Sequence, residues 1–268
     1  MRKEIIINST SNENRIAITE DGKLSELFLE NPQYERVIGD IYLGRIAKVI
    51  PGIKAAFIDL GFKQDAFLHF SDVGDNVEEI KELLGEDTDI DVEDDDDDGT
   101  APAAAVQVQR SRKLDFPKLE RDQNIIVQIT KEPVGSKGVR VTSKIAIPGR
   151  YLVLLPFEGK INASRQIQNI REKRRLKNIV RDYRREKNLE FGSIIRTVAE
   201  NQNETSIRED LDQLLGIWQE IHKNVKNEKP PALLYKDLSM TSSVIRDLFR
   251  EDVVKVTVDN KKMFKEII

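Results

Sequence analysis

Short strands separated by turn residues constrain the fold of this chain more than any other feature. Three segments rich in β-branched and aromatic residues follow one another, and Pro51–Gly52 and Gly61 fall at their joins. Short strands at this spacing predict a small β-barrel. The three predicted strands are Ile41–Ile50, Ala55–Leu60 and Asp65–Phe70.

Further strands are predicted on both sides of this block. Glu4–Asn8 and Asn14–Thr19 precede it and are joined by a polar turn. Asn124–Lys131 follows it and is rich in β-branched residues. A glycine-containing turn then leads into Val139–Ser143, which could close the barrel that opens at Ile41.

Two amphipathic helices are predicted in the second half of the chain. One covers Ser164 to about Asn188 and the other covers Arg208–Lys226. Ten Lys or Arg residues lie between Arg165 and Lys187, and taken alone this charge is typical of a solvated surface helix. The apolar face of the first helix consists of Leu176, Ile179, Val180 and Tyr183.

An acidic segment interrupts the predicted barrel. Ten acidic residues and no base lie between Glu86 and Asp98. Because like charges repel and the segment has little to bury, residues from about 75 to 118 are predicted to form a disordered insertion. The functional alternative is an acidic tether that mimics RNA and tunes binding.

The net charge of −4 hides a basic remainder, because removing those ten negative charges leaves +6. A basic surface is compatible with a polyanionic partner. The absence of cysteine excludes disulfides, thiolate zinc sites and cysteine nucleophiles within this chain. No apolar run approaches the roughly 18 residues of a membrane span, and the amino terminus lacks a signal-peptide core. A cytoplasmic protein is therefore expected.

Binding chemistry is easier to find than catalytic chemistry. The only histidines, His69 and His222, lie far apart in sequence, and no P-loop or dinucleotide fingerprint occurs. Phe57 and Phe67 lie in adjacent predicted strands, with Lys137 nearby if the barrel closes. Such a group could stack single-stranded bases. Periodicity alone, however, favours core positions for both phenylalanines.

Five segments of the chain resemble the ribonuclease E/G family, in the family's order. They are INST, IYLGRIAKVIPGIKAAFIDLGFKQDAFLHFSDV, VQITKEPVGSKGVRVTSKIAIPGRYLVLLP, IIRT and VIRDLFREDV. The resemblance covers nearly the whole chain except the acidic insertion. The resemblance implies an α+β fold in which an RNase H-like unit is interrupted by an OB-type RNA-binding barrel and an α/β five-prime sensor. The implied boundaries are 1–38 and 241–268 for the RNase H-like unit, 39–143 for the barrel and 144–240 for the sensor.

The resemblance also implies two sets of binding residues. Phe57, Phe67 and Lys137 match barrel residues that hold single-stranded RNA in the family, which raises stacking above a core role. A second set matches the pocket for a five-prime monophosphate, where Arg offers a charge-assisted fork, Thr a hydroxyl and Gly a close backbone approach. This set contains Gly149, Val153, Arg165, Arg196 and Thr197.

The implied activity belongs to a longer parent protein. That protein is expected to be a Mg²⁺-dependent endoribonuclease of RNA processing and decay, including rRNA processing and mRNA decay. It is expected to prefer single-stranded RNA with a five-prime monophosphate and to be a homo-oligomer. The resemblance also implies that the parent protein can bind zinc, with ligands outside this chain. Catalytic and metal-binding residues are expected beyond residue 268, since Asp259 and Asn260 match a non-catalytic stretch.

This 268-residue chain, taken as a truncated chain or fragment, is therefore predicted to bind RNA without cutting it. The alternative is a stand-alone single-stranded RNA-binding regulator that is never joined to a nuclease. A basic ribosomal protein is a third interpretation, but it does not explain the pairing of PGRYLV with IIRT.

Overall fold

A computed structural model describes residues 2–10, 12–31, 36–74, 119–237, 240–248 and 252–267. Within these ranges the chain has a mixed α+β architecture with three β-sheets, as the sequence predicts at this level. The predicted acidic insertion, about 75–118, lies outside the described residues.

The strands and helices are numbered in chain order. The strands are β1 Lys3–Ser9, β2 Asn14–Glu20, β3 Lys23–Glu30, β4 Ile41–Ile50, β5 Ala55–Asp59, β6 Ala66–His69, β7 Asn124–Lys131, β8 Arg140–Thr142, β9 Ile147–Pro148, β10 Leu152–Leu155, β11 Ile161–Ala163, β12 Gly192–Ile195, β13 Ala232–Tyr235 and β14 Val253–Val258. The helices are α1 Ile170–Lys187, α2 Glu204–Asn227, α3 Met240–Leu248 and α4 Lys261–Ile267.

The first sheet joins the two ends of the chain. Its strand order is β14-β1-β2-β3, with β1 parallel to β14 and antiparallel to β2. Alternate residues of β1 and β2, namely Ile5, Ile7 and Ile16, are buried together with Val244 of α3. The sheet therefore has one apolar face, against which the carboxyl-terminal segment packs.

Five strands close into the predicted barrel. β4 pairs with both β5 and β7, β5 pairs with β6, and β8 bridges β6 and β7. Inward-facing aliphatic side chains such as Ile58, Leu68 and Val127 are fully buried in its interior. The closed five-stranded barrel is consistent with an OB-type fold, and β13 extends the sheet alongside β4.

The third sheet has the order β11-β12-β10-β9 and is covered by α1 and α2. Its core contains the predicted apolar face of α1 and reaches residues of β4 and β7, so it is continuous with the base of the barrel. This sheet and its helices carry the second predicted set of binding residues.

Both long helices begin at asparagine caps that the sequence prediction did not use. The Asn169 side chain accepts hydrogen bonds from the amides of Arg171 and Glu172, so α1 begins at Ile170 and not at Ser164. Asn203 likewise caps α2, which begins four residues before the predicted start. The segment ahead of Asn169 instead supplies β11 and a turn. Within the described part of the chain, no helix is long and apolar enough to cross a membrane.

Candidate functional site

The barrel presents Phe57 and Phe67 on its outer surface. The residues on either side of each, such as Ala56 and Leu68, are fully buried, so strand alternation turns both phenylalanines away from the interior. Both rings are partly exposed and lie outside the barrel core. Periodicity alone favours core positions for both phenylalanines, and that expectation is wrong, because neither side chain belongs to the barrel core.

The two rings form one cross-strand pair. Phe57 of β5 lies opposite Phe67 of β6, and their ring centroids are 5.8 Å apart in an edge-to-face arrangement. The His69 ring continues the row, with its centroid 6.4 Å from that of Phe67. His69 was not among the predicted binding residues, although its position two residues after Phe67 places it on the same face of β6.

Cations border this aromatic row. Exposed Lys48 of β4 lies opposite Phe57, and Arg140 of β8 lies beside Phe67. Arg140 is held by Asp72, with 2.7 Å between its Nη2 and a carboxylate oxygen. Neither Lys48 nor Arg140 was among the predicted binding residues. Their positions beside the phenylalanines follow from the registers of β4 with β5 and of β6 with β8, which the sequence does not give.

The predicted Lys137 lies near the turn between β5 and β6, where it lines a surface pocket with Phe62 and Gln64. It is exposed in the turn between β7 and β8, where its amide donates to the Val134 carbonyl at 3.1 Å. The neighbouring Gly138 lies so close to β6 that an added Cβ would be 2.1 Å from the Asp65 carbonyl oxygen. This close approach requires glycine and places Lys137 next to the start of the strand that carries Phe67.

The second predicted set gathers where β11 and β12 end, and we call these residues, Gly149, Val153, Arg165, Arg196 and Thr197, the end site. Val153 and Ile194 are opposite each other in β10 and β12. Ile194 is 39% exposed while Ile195 is buried, so Arg196 emerges on the accessible face of the sheet. The backbone therefore aims Arg196 and Val153 to the same side.

Arg196 makes two hydrogen bonds through a single nitrogen. Its Nη1 donates to the Gly149 carbonyl at 2.7 Å and to the Asp247 carboxylate at 2.8 Å. Within the described residues, its Nε and Nη2 have no hydrogen-bond partner. These two groups form one edge of the planar guanidinium, and that edge matches the spacing of two oxygens of a phosphate or carboxylate.

Asp247, on α3, joins the end site to the first sheet. Burial alone would raise the pKa of its carboxyl, but hydrogen bonds from Arg246 and Arg196 outweigh burial and hold that pKa below its ordinary value. Arg246 also donates to the Pro148 carbonyl at 3.1 Å. The carboxylate is therefore ionised at neutral pH and orients Arg196 from behind.

Hydroxyl and amide groups occupy the other side of the end site. The Thr197 hydroxyl lies 2.9 Å from the Ser164 hydroxyl and donates to the Gln166 side chain at 3.1 Å. Exposed Arg165 lies between Ser164 and Gln166 in the chain. The structure thus brings Arg165 and Thr197 together, although they come from segments about thirty residues apart.

Gly149 belongs to a loop that encloses a carboxylate of the chain itself. Asp210 of α2, only 6% exposed, accepts hydrogen bonds from three successive amides at 2.9–3.0 Å. An added Cβ at Gly149 would lie 2.7 Å from both carboxylate oxygens. Glycine at this position therefore permits the approach of Asp210, which sequence analysis did not identify. The three amides are those of Arg150, Tyr151 and Leu152.

Asp259 and Asn260, which match a non-catalytic stretch of the family, have partners within the chain. Asp259 accepts hydrogen bonds from the Asn8 side chain and the Ser9 amide, which fasten β14 to β1. The Asn260 side chain accepts from the Lys262 amide at 2.8 Å and caps α4. Among the described residues, no group of three or more His, Cys, Asp or Glu side chains is arranged to hold a metal ion.

Comparison with known proteins gives one consistent result. Residues 146–268 match the model of the ribonuclease E/G family. Ribonuclease G of Escherichia coli K12 is 30% identical over 269 residues, which cover all of this chain and half of that protein. Ribonuclease G of Haemophilus influenzae is 30% identical over 98% of the chain and 49% of its own length. Ribonuclease E of a Nostoc species is 31% identical over 94% of the chain and 33% of its own length. The chain thus spans half or less of these curated relatives.

Proposed function

Since the chain belongs to the ribonuclease E/G family, we propose that it supplies the RNA-binding and end-recognition surfaces of an endoribonuclease. Its substrate is single-stranded RNA, held along the barrel and recognised at a five-prime monophosphate by the end site. In this proposal residues 39–143 form the barrel unit, 144–240 the sensor unit, and 1–38 with 241–268 an RNase H-like unit.

The observation that carries the proposal is the Phe57–Phe67 pair outside the barrel core. Water hydrates the exposed parts of these two rings unfavourably unless a partner covers them. Stacking of a base on such a ring contributes about 1–3 kcal/mol to the binding free energy. Lys48 adds positive charge at the border of the pair, and Lys137 adds a second charge near the start of β6, along which a phosphate backbone would run. Every base has an aromatic face, so this surface binds RNA with little regard to sequence.

End recognition rests on the Nε–Nη2 edge of Arg196, which has no hydrogen-bond partner among the described residues. A terminal phosphate can accept from Nε and Nη2 together, while Nη1 keeps its contacts with Gly149 and Asp247. On the other side the Arg165 guanidinium supplies further donors, and the Thr197 hydroxyl would exchange its hydrogen bond to Gln166 for one to the phosphate. A hydroxyl-ended RNA offers no charge at this position, so the end site discriminates by charge.

Cleavage is proposed only for the parent protein. Mg²⁺ would supply an activated water and charge stabilisation there. The described residues of this chain do not provide a fitting set of ligands for Mg²⁺ or zinc, so we assign no metal to them. Action in rRNA processing and mRNA decay, homo-oligomer formation and a cytoplasmic location belong to the same proposal.

The first test is an incubation of the purified 268-residue chain with labelled single-stranded RNA and Mg²⁺. We expect binding that is weakened by Phe57→Ala and no specific cleavage. Cleavage that co-purifies with the chain would overturn its assignment as a binding part, and absence of binding would overturn the proposal. A parent gene with no nuclease region beyond Ile268 would favour the alternative of a stand-alone RNA-binding regulator.

A further inference from the structure

The helix α1 carries its three acidic residues on one flank and six of its nine cations on another. Successive residues of an α-helix are rotated by about 100°, which places the three acidic residues of α1 on one flank. On that side Glu186 pairs with Arg208 of α2 at 2.7 Å, and Glu172 accepts from the Asn201 amide at 3.0 Å. Glu172 and Glu186 therefore lie toward the rest of the protein, and the third acidic residue, Asp182, pairs with Arg185 of α1 itself.

Six cations occupy the other flank, which we call the basic face. The same rotation places them within about a third of the helix circumference, with no acidic residue among them. Only Arg185 has a carboxylate partner, Asp182, within the described chain, and that arginine side chain is 81% exposed. The basic face consists of Lys173, Arg174, Lys177, Arg181, Arg184 and Arg185.

Most of the basic face does not serve the packing of α1. Arg184 is the exception, since it donates to the Gly159 carbonyl and lies 5.6 Å from the centroid of the Phe191 ring. The buried residues of α1 are its apolar ones, and its ordered ends come from the caps at Asn169 and Asn188. Clustered like charges destabilise a helix by mutual repulsion, so an unneutralised row of cations has an energetic cost without a partner. A polyanion would remove that repulsion.

The sheet edge below α1 connects the basic face with the end site. Arg184 donates to the Gly159 carbonyl at 2.9 Å, just before the edge strand β11, beside a cavity of about 530 Å³ that Arg181 and Arg185 also line. The strand then runs to Ser164, whose hydroxyl contacts that of Thr197. One continuous edge thus leads from the cluster of arginines to the end site.

We propose that the basic face of α1 is a docking surface for the phosphate backbone of single-stranded RNA. The strand begins with its terminal phosphate at the end site and follows the β11 edge toward Arg184. The inference rests on the proposed function and adds a third RNA-binding surface, distinct from the barrel and from the end site. α1 extends for about 27 Å, at 1.5 Å per residue, so several nucleotides can lie along it.

The test replaces three cations of the basic face that have no carboxylate partner in the described chain. In the variant Arg174→Gln, Lys177→Gln, Arg181→Gln, glutamine preserves helix propensity. The matched control removes three exposed charges elsewhere, as Lys223→Gln, Lys226→Gln, Lys229→Gln. Affinities of both variants and the wild type are measured for a ten-nucleotide RNA between 50 and 200 mM salt, with a melting curve for each protein.

Loss of three phosphate contacts should lower the slope of log affinity against log salt by about 2, at roughly 0.7 for each contact of a single strand. Over this fourfold salt range the wild type should therefore lose roughly 18-fold more affinity than the variant. The effect should be equal for monophosphate and hydroxyl ends and absent for a trinucleotide. The control should keep the wild-type slope.

Other outcomes have separate meanings. The docking surface alone is overturned if the basic-face variant matches the control in slope and affinity, while Phe57→Ala weakens binding of both RNA ends and Arg196→Ala weakens binding of monophosphate RNA. Wild-type protein that binds no RNA overturns both proposals. Weakened binding of duplex RNA with unchanged binding of the single strand overturns the assignment to single-stranded RNA. Polyglutamate at equal charge concentration serves as a competing polyanion without phosphate. If it displaces RNA from the wild type and from the variant to the same extent, a phosphate-binding role of the basic face is likewise excluded.

Discussion

The barrel and the end site hold their functional side chains in different ways. In the barrel, strand alternation alone turns Phe57 and Phe67 outward, and each depends on its immediate strand neighbours. At the end site, Arg196 depends on Gly149, 47 residues away, and on Asp247, 51 residues away. A surface set by local backbone periodicity tolerates distant changes, whereas one set by a polar network does not. The two regions should therefore respond differently to the same kinds of substitution.

The largest expected effect is on stability and concerns Asp210. Asp210→Ala leaves three amides of the Gly149 loop without their carboxylate, so the free energy of unfolding should fall by roughly 3–5 kcal/mol. Denaturant unfolding measures this change, and exposed Glu209 on the same helix supplies the control, Glu209→Ala. Under native conditions hydroxyl-ended RNA should still bind through the barrel. Equal loss of binding for both RNA ends would break the distinction between the two regions.

A smaller effect is expected at the barrel. Phe57→Ala removes one stacking surface, which corresponds to about 1–3 kcal/mol and hence to roughly 5- to 150-fold weaker binding. Monophosphate and hydroxyl ends should weaken alike, because stacking does not sense the terminus. Titration of both RNAs at fixed salt measures this, with Phe264→Ala, an exposed aromatic in α4 outside the barrel, as the control. A loss confined to monophosphate RNA would contradict the separation.

The smallest effect is expected from the acidic residues Glu86–Asp98. Replacing all ten with serine or asparagine changes the net charge from −4 to +6 at constant length. Repulsion of phosphate within a Debye length of about 8–10 Å is then removed, so binding should strengthen a few-fold at low salt and converge with the wild type at high salt. An equal gain for both RNA ends indicates a general charge effect. Weaker binding, or a large drop in melting temperature, would show that the acidic residues support the fold or the RNA contact.

Sequence reasoning reached the barrel because its signals are local. β-branched runs and turn residues predict strands. The closing pair was predicted wrongly: Val139–Ser143 was expected to close the barrel against the strand that begins at Ile41, but β7 pairs with β4, and β8 bridges β6 and β7. The direction of Phe57 was not accessible in this way. The stretch AAFID has apolar residues at neighbouring positions, so alternation does not say which face is inside until the barrel closes.

The network of the end site could not be predicted for a different reason. Asp210 lies in a helix about sixty residues from the loop it holds, and in sequence it is one acidic residue among several on an amphipathic helix. Asp247 is equally ordinary in sequence. The family resemblance selected Arg196 and Thr197, but only the fold shows which groups hold Arg196 in place.

Asp247 also provides the control for the most direct test. Asp247→Asn removes the carboxylate behind Arg196 but keeps the arginine and its contact with the Gly149 carbonyl. If Arg196 serves the terminal phosphate, this variant should retain the preference for monophosphate RNA even where its melting temperature falls. If Arg196 serves only the ion pair with Asp247, Asp247→Asn and Arg196→Ala should lose stability alike. Neither variant should then alter the preference for monophosphate RNA.

The central claim is that Arg196 recognises a terminal phosphate, and the ratio of affinities for monophosphate and hydroxyl-ended RNA tests it most directly. Charge-assisted hydrogen bonds contribute about 1.5–3 kcal/mol each, so Arg196→Ala should weaken monophosphate binding by roughly ten- to several-hundred-fold. Hydroxyl-ended RNA should hardly change, and Thr197→Val should act in the same direction but less. Equal weakening for the two ends would contradict the account, and the assignment of the end site would fail with it.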